Sequence, residues 1–232
     1  MNKVTILGTM HKEKGKCNVN NLYKIIEEIN PNVIFEENNI DIKKFDLIIS
    51  TGIFGSNIDN ILQNENIERK TIRKYLINHN IETLSVATLD TPKWFDEYDN
   101  ILFGIIPLGD KKYVEYKDHC EYIINYISEN GFENINTNEF DNLINKKLQL
   151  QKEYVHNTPE NIKYYDEYME FIHNKREIEI INNIVKYIFE SKIQINAVLL
   201  IGAEHRISLM KKLENIKNID FDFYYNNKSN GT

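Results

Sequence analysis

The chain alternates between short unbroken apolar runs and longer stretches in which apolar residues recur every three or four positions. The first pattern is typical of buried strands and the second of amphipathic helices. Residues 4–7 form an apolar run that Gly8 ends. Residues 20–30 show the helical spacing as far as Pro31, and residues 32–35 form a second apolar run. A strand, a helix and a strand in this order predict a βαβ unit, in which the two strands are parallel.

The rest of the chain continues this alternation. Further strands are predicted at 47–49, 82–87, 197–201 and 221–224, and further helices at 57–78, 118–129, 138–154, 160–190 and 207–213. Residues 101–115 fit either one strand or a hairpin that turns at Gly109-Asp110. The pattern predicts a single α/β domain over residues 1–225, with a mostly parallel central sheet flanked by helices. It also predicts a helical insertion at about 138–175 and a polar tail at 226–232.

Composition and charge narrow the classes of function. The net charge is -7 and the lysine pairs stand among acidic residues, whereas nucleic-acid binders need a basic face, so we expect no nucleic-acid partner. The longest apolar run, 197–201, is far shorter than the ~20 residues of a membrane span, and the N-terminal run is too short for an export signal. Cys17 and Cys120 are isolated, which fits a reducing compartment. We expect a soluble, cytoplasmic protein with no membrane partner; its oligomeric state is left open.

A Gly-x-x-His pattern occurs twice, each time directly after an apolar run. Gly8-Thr9-Met10-His11 follows the first predicted strand, and Gly202-Ala203-Glu204-His205 follows the most apolar one. Ligands of open α/β sheets bind beyond the carboxyl ends of the parallel strands. Glycine lets the backbone turn there, and a histidine three residues later can serve as a metal ligand or a general base. His11 and His205 are therefore the first candidate site residues.

Two carboxylates follow the second predicted strand. Glu36 and Glu37 end this strand, so one of them reaches the same rim, and the strand pleat prevents both from facing the same way. The other four histidines lie in predicted helices or loops with no i, i+4 spacing between them, and we interpret them as structural or surface groups. They are His79, His119, His156 and His173.

These motifs resemble a superfamily that comprises the TraB/PrgY pheromone-shutdown proteins, the Tiki-type metalloproteases, the erythromycin esterases and the haem-binding ChaN proteins. The first matching segment is the strand that leads into His11, and the second, residues 31–37, is similar to the family's Pro-Asp-x-Val-x-x-Glu strand. Residues 173–177 resemble its Arg-Asn or Arg-Asp segment, and residues 198–205 its closing Val-Val-Gly-x-x-His strand. The order agrees along the chain, while residues 40–170 match no motif.

The resemblance implies an α/β fold with a hydrolytic or ligand-binding site at these residues. The family's glutamate matches Glu37, with Glu36 as the second choice. Tiki-type proteins imply a divalent cation held by the two histidines and the glutamate, here His11, Glu37 and His205. Erythromycin esterases imply instead a histidine that activates water, helped by a glutamate and by an arginine, here Arg176. TraB/PrgY proteins are linked to peptide-pheromone control, and ChaN proteins to haem iron.

We therefore predict a hydrolase that activates water at this rim and acts on a peptide or a small-molecule ester or amide. In one version a divalent cation (Zn, Mn, Co or Fe) is bound by His11, Glu37 and His205 and lowers the pKa of its water. In the other an imidazole is the base, the glutamate orients it and Arg176 stabilises the oxyanion. The donor set of two histidines and one glutamate favours the metal. A binding protein that sequesters a peptide or small ligand without catalysis is the second hypothesis, and an interaction protein that uses the helices at 138–190 is the third.

Overall fold

The computed structural model of the protein describes residues 1–37, 42, 65–99, 110–155 and 159–224. Within them the strands are β1 (Asn2–Thr9), β2 (Val33–Glu36), β3 (Glu82–Ser85), β4 (Asn196–Gly202) and β5 (Ile219–Phe223). The helices are α1 (Val19–Ile29), α2 (Ile67–Leu76), α3 (Phe95–Asp99), α4 (Lys111–Asn130), α5 (Phe132–Ile135), α6 (Asn138–Val155), α7 (Pro159–Glu170), α8 (Arg176–Glu190) and α9 (Arg206–Leu213). A π-helical turn (Phe171–Lys175) joins α7 to α8, and a 3-10 turn (Ala203–His205) precedes α9.

The strands form one parallel sheet in the order β3-β2-β4-β1-β5. The predicted fold class, an α/β domain with a mostly parallel central sheet flanked by helices, is confirmed. β1 and β2 are parallel, as the βαβ pattern requires, yet they are not neighbours, because β4 lies between them. All of residues 197–201 in β4 are buried, as expected for a central strand covered on both faces. β5, at the strand predicted for residues 221–224, lies at an edge of the described sheet.

Helices cover both faces of this sheet. α1, α4 and α6 pack on one face, against Leu7 and Leu200, and α8 and α9 pack on the other, against Ile6 and Leu199. The chain that leaves β1 passes through α1, and the chain that leaves β4 passes through α9. The two adjacent strands β1 and β4 therefore send their connections to opposite faces. A crevice at such a switch point is the usual ligand site of an open parallel sheet.

The start of α4 corrects one prediction. Residues 111–115, which we expected in a strand or a hairpin, form the beginning of α4, and this helix starts at Lys111 rather than at residue 118. The carboxylate of Asp110 accepts hydrogen bonds from the backbone N–H groups of Lys112 and Tyr113, at 2.8 and 3.2 Å. This N-cap fixes the beginning of the helix. The strand predicted at 47–49, residues 101–109 and the tail at 226–232 lie outside the described residues.

Residues 138–175, predicted as a helical insertion, are helical wherever they are described, in α6, α7 and the π-helical turn. In this turn the backbone N–H of Arg176 bonds to the carbonyl of Phe171, five residues earlier. Such π-type turns inside α-helices are frequent at functional sites. Across the described residues, none of the helices is both long and apolar enough to span a bilayer.

Candidate functional site

The carboxyl end of β1 is held by a side chain from the α5–α6 connection. Asn136 is fully buried; its Oδ1 accepts a hydrogen bond from the Gly8 N–H at 2.7 Å and its Nδ2 donates to the Gly8 carbonyl at 3.0 Å. The amide replaces a strand neighbour, because β5 pairs with β1 only as far as Ile6. A Cβ on Gly8 would lie 2.9 Å from Asn136 Oδ1, so this approach requires glycine. Packing therefore accounts for the first glycine of the two motifs.

His11 lies at the rim and contacts a buried carboxylate. Its Nδ1 is 3.2 Å from Glu68 Oε1 at the start of α2, while its side chain is 63% exposed. Glu68 is buried, and the same oxygen accepts a hydrogen bond of 2.6 Å from Thr9 Oγ1. The hydrogen bond to Glu68 raises the pKa of His11 above 6.5, despite the opposing effect of burial. Because Nδ1 is occupied, Nε2 is the nitrogen that can act as a base or a ligand.

His205 is enclosed between two carboxylates. Its Nδ1 is 2.7 Å from Glu177 Oε1, and its Nε2 is 3.4 Å from Glu37 Oε1. Burial by itself lowers the pKa of His205, but the hydrogen bonds to Glu177 and Glu37 outweigh it and raise the pKa to about 9. At neutral pH the ring is therefore an imidazolium, which places a fixed positive charge at the rim.

Glu37 connects β2 to both β4 and α8. Its Oε2 accepts a hydrogen bond from the Gly202 N–H at 2.9 Å, and its Oε1 lies 3.4 Å from Arg176 Nη2, which also donates to the Glu37 carbonyl at 3.3 Å. Burial raises the pKa of Glu37, but the hydrogen bond from His205 and the charges of His205 and Arg176 outweigh it and lower the pKa to about 2. The structure thus brings together four of the predicted residues: His11, Glu37, Arg176 and His205.

Glu36 lies on the opposite face of β2, as the strand pleat requires. It is fully buried there; its Oε1 accepts a hydrogen bond of 3.0 Å from the Ile42 N–H, and its Oε2 is 3.5 Å from Arg69 Nε. Arg69 ties β2 to α2, and neither of these partners is a predicted site residue. Of the two adjacent glutamates, the structure places Glu37 at the rim and Glu36 away from it.

Gly202 marks the point around which the predicted residues converge. A Cβ on Gly202 would lie 3.5 Å from His205 Cδ2, 3.6 Å from Glu37 Oε2 and 3.8 Å from His11 Nε2. These three side chains therefore border one small space in front of the glycine, at the switch point between β1 and β4. A water molecule or a substrate atom can occupy that space because Gly202 has no side chain.

A group that could hold a metal ion lies on the inner side of His205. His173, Glu177 and His205 offer ligand atoms that all lie within 4.8 Å of one another. His173 Nδ1 is 3.3 Å from Glu177 Oε1, the oxygen that also contacts His205. Within the described part of the chain, this compact group includes His205 but neither His11 nor Glu37, the other two predicted ligands.

An ammonium group already stands beside this group. Lys212 Nζ lies 2.8 Å from Glu177 Oε2 and donates a hydrogen bond of 2.6 Å to the carbonyl of His173. Burial raises the pKa of Glu177, but the hydrogen bonds from His173, His205 and Lys212 outweigh it and lower the pKa to about 2. Two imidazoles and one carboxylate are a donor set that suits a divalent cation such as Zn. Any cation here would compete with Lys212 for the charge of Glu177.

Three residues that contact His11 or His205 were not among the site residues predicted from the sequence: Glu68, His173 and Glu177. His173, which we interpreted as structural or surface, lines the cavity at the rim, and its ring centroid is 5.1 Å from that of His205. The four-residue spacing of His173 and Glu177 puts both on one helix face and is the signal that could have found them. Glu68 has no such signal, because its pairing with His11 depends on how α2 packs beside β1.

Two of the other histidines have structural partners, as we interpreted them. His79 Nδ1 is 3.0 Å from the carbonyl of Tyr75, and His119 Nε2 is 2.9 Å from the carbonyl of Leu143. His156 lies outside the described residues.

A cavity of about 480 Å³ opens at this rim. Thr9, His11, Gly202 and His205 line one end of it, and side chains of α4, α6, α7 and the π-helical turn line the rest. Its volume lies within the usual range of small-molecule sites. Both Gly-x-x-His motifs therefore face a space of the size of a ligand.

The described fold and site define an α/β protein with a parallel sheet and a cluster of histidines and glutamates at its switch point. Comparisons with protein-family models, with curated proteins and with solved structures found no match for this chain. The resemblance to the TraB/PrgY, Tiki, erythromycin esterase and ChaN superfamily stays a prediction that rests on the quoted motifs.

Proposed function

We propose that this protein is a hydrolase that activates water at the carboxyl ends of β1, β2 and β4 and cleaves an ester or amide bond of a peptide or small molecule. The observation that carries the proposal is the pairing of His11 Nδ1 with the buried Glu68, 3.2 Å away, at the mouth of the cavity. An imidazole oriented by a carboxylate, with its other nitrogen facing the substrate space, is the usual form of a general base.

The proposed reaction begins with a water molecule in the space before Gly202. His11 Nε2 takes a proton from this water, and the hydroxide attacks the substrate carbonyl. Glu68 keeps the imidazole in the required tautomer and stabilises the imidazolium that forms. The positive charges of His205 and Arg176 offset the negative charge that develops on the carbonyl oxygen. His11 then returns its proton to the leaving alcohol or amine.

A metal-assisted version is the second candidate, and the compact group of His173, Glu177 and His205 favours it. A divalent cation held by these residues would polarise a water molecule and lower its pKa. The set predicted from the sequence requires His11 to approach His205, and the 63% exposed side chain of His11 has room to move. The two ligand sets share only His205; they differ in the second histidine, His11 or His173, and in the glutamate, Glu37 or Glu177.

Metal analysis of the purified wild type beside three alanine variants separates these versions. Near-stoichiometric Zn, Mn, Co or Fe that is lost in His173→Ala and His205→Ala, but kept in His11→Ala, supports the compact group. Loss in His11→Ala and His205→Ala, with retention in His173→Ala, supports the predicted set. If no sample holds metal even after reconstitution, His11 acts without a cation.

Turnover of ester and amide substrates tests the base itself. We expect kcat to fall about 10- to 100-fold in Glu68→Gln, which removes the charge that orients His11, and about 10²- to 10⁴-fold in His11→Ala. Glu65→Gln is the matched control, because Glu65 pairs with Arg73 on the same segment. A folded His11→Ala protein with full activity contradicts the proposal. Ligand binding by the wild type without any product favours a non-catalytic binding protein instead.

A further inference from the structure

The cavity beside the site is polar at one end and apolar at the other. His11, Gly202 and His205 lie at the polar end. The rest of the cavity is lined by α4, α6, α7 and the π-helical turn, and the lining there is mainly apolar. The apolar side chains, here called the apolar chamber, are Ile123, Ile127, Ile144, Leu148, Met169 and Ile172; Cys120, Lys147, Gln151 and Tyr168 of the same helices also line the cavity. On α4 and α6 these side chains recur at helical spacing, so each helix presents an apolar stripe to the chamber.

The charged side chains of the lining are compensated within the protein. Lys147 of α6 forms an ion pair with Glu204, the residue before His205. Both side chains line the cavity. Because their charges cancel, the pair adds no net charge to the lining. A paired lysine attracts an anionic ligand group only weakly, because the carboxylate already satisfies it. A neutral ligand portion therefore suits the chamber better than a carboxylate or a phosphate.

A peptide backbone suits this chamber poorly. Each peptide unit that is buried needs hydrogen-bond partners for its N–H and C=O groups. Helices satisfy their own backbone groups, so α4 and α6 present side chains alone to the cavity. Most of these side chains are hydrocarbon groups, and Lys147 is already paired with Glu204, so few polar groups are left for a peptide backbone. An alkyl chain needs no such partners and gains from burial.

We propose that the apolar chamber binds the straight alkyl chain of a neutral acyl ester or amide and presents its carbonyl to the space before Gly202. This inference rests on the proposed function for its reactive end only. Burial of one methylene is worth about 0.8 kcal/mol, so each added methylene tightens binding about fourfold until the chamber is full. Charged groups gain no such increment.

Binding of a series of straight-chain primary alcohols, from butanol to dodecanol, tests the chamber without any turnover. Displacement of a neutral fluorescent dye, Nile red, gives their dissociation constants, which we expect to fall about fourfold per methylene up to a longest effective chain. Leu148→Trp should make that longest chain shorter, and Leu148→Ala should make it longer. Asn142→Trp, at an exposed position of the same helix that is outside the cavity lining, is the control and should change nothing.

Dissociation constants that do not depend on chain length, or a longest chain that is the same in wild type and Leu148→Ala, overturn the proposal. The alanine variant decides the matter even if the tryptophan variant does not fold. Hydrolysis of the matching p-nitrophenyl esters is measured separately. If the alcohols bind with the expected increment but no ester is cleaved, the assignment of the chamber is supported and the proposed hydrolase function is contradicted. If esters are cleaved at a rate that does not depend on chain length, the hydrolase function is supported and the assignment of the chamber is contradicted.

Discussion

At the residue scale, the two motif glycines differ in what surrounds them. A Cβ on Gly8 would lie 2.9 Å from Asn136 Oδ1 and 3.1 Å from Ala203 Cβ, which is too close for a well-packed site. A Cβ on Gly202 would have its nearest neighbour at 3.5 Å, an ordinary van der Waals contact, and its backbone φ of -50° suits alanine. The first glycine therefore serves packing, and the second leaves room at the site.

The same substitution at these two positions should have opposite consequences. We expect Gly8→Ala to lower the free energy of unfolding by about 1–3 kcal/mol through overpacking. Gly202→Ala should keep or slightly raise it, because alanine restricts the unfolded chain at a compatible position, yet it should abolish turnover by filling the reaction space. Urea denaturation and ester hydrolysis measure the two effects. An active Gly202→Ala protein would show that the reaction takes place elsewhere.

At the element scale, one side chain of the helical segment that follows α4 forms hydrogen bonds to the sheet. Asn136 bonds to both backbone groups of Gly8 and donates a third hydrogen bond of 2.8 Å to the carbonyl of Phe132. The strand end that leads to His11 is thus positioned by the connection between α5 and α6. The helices that line the cavity and the strand that carries the base are fixed relative to each other at this point.

Removal of the Asn136 amide should lower the stability of the fold. Asn136→Ala leaves the buried N–H and carbonyl of Gly8 without partners, and we expect the free energy of unfolding to fall by about 2–4 kcal/mol. Asn134→Ala is the matched control. Asn134 donates a single hydrogen bond of 2.9 Å to the carbonyl of Asn130 in a half-buried position, so its loss should cost no more than about 1 kcal/mol. Equal losses in thermal or urea denaturation would contradict the role of Asn136.

At the scale of the whole molecule, the site joins elements that are distant in the chain. Glu37 follows β2, Arg176 and Glu177 begin α8, His205 follows β4, and Lys212 lies in α9. Their charges alternate through contacts of 2.7 to 3.4 Å, and Glu177 is fully buried. Such a buried network couples the protonation of one ring to the stability of the whole fold.

This coupling predicts how stability depends on pH. The pKa of His205 is raised from 6.5 to about 9 in the folded protein, so its stabilisation is fully present below pH 6.5 and is lost as the pH rises through 9. In chelator-treated protein we expect the free energy of unfolding to fall by about 1.4 kcal/mol per pH unit between about pH 7 and 9. Urea titrations at several pH values measure this slope.

The matched variants for this slope are two histidine replacements. His205→Gln should remove most of it, leaving the contribution of His11, whose pKa is also raised. His79→Gln should keep it, because His79 stacks on Tyr75 away from the network. A wild-type stability that is flat over this range would show that His205 is not protonated in the folded protein.

Much of the fold could be predicted because its signals are local. The apolar runs and helical spacings located β1, β2, α1, α6 and β4, since each of these buries a whole strand or one helix face. The position of β4 between β1 and β2 could not be predicted, because it depends on pairing between strands that are far apart in the chain. The start of α4 at Lys111 was also missed, because its aromatic and charged residues carry a weak helical stripe and the cap at Asp110 was interpreted as a turn.

The sequence by itself determined the rim residues that directly follow strands. His11, His205 and one of the pair Glu36 and Glu37 were identifiable because parallel strands end at one edge, so residues just beyond them lie near each other whatever the order of the strands. The choice of Glu37 came from the family resemblance. The tertiary structure decided which side chains pair with them. Glu68 reaches His11, and Glu177 reaches His205, only through the packing of helices on the sheet. Side-chain contacts between distant elements depend on that packing, and no periodicity of a single chain encodes it.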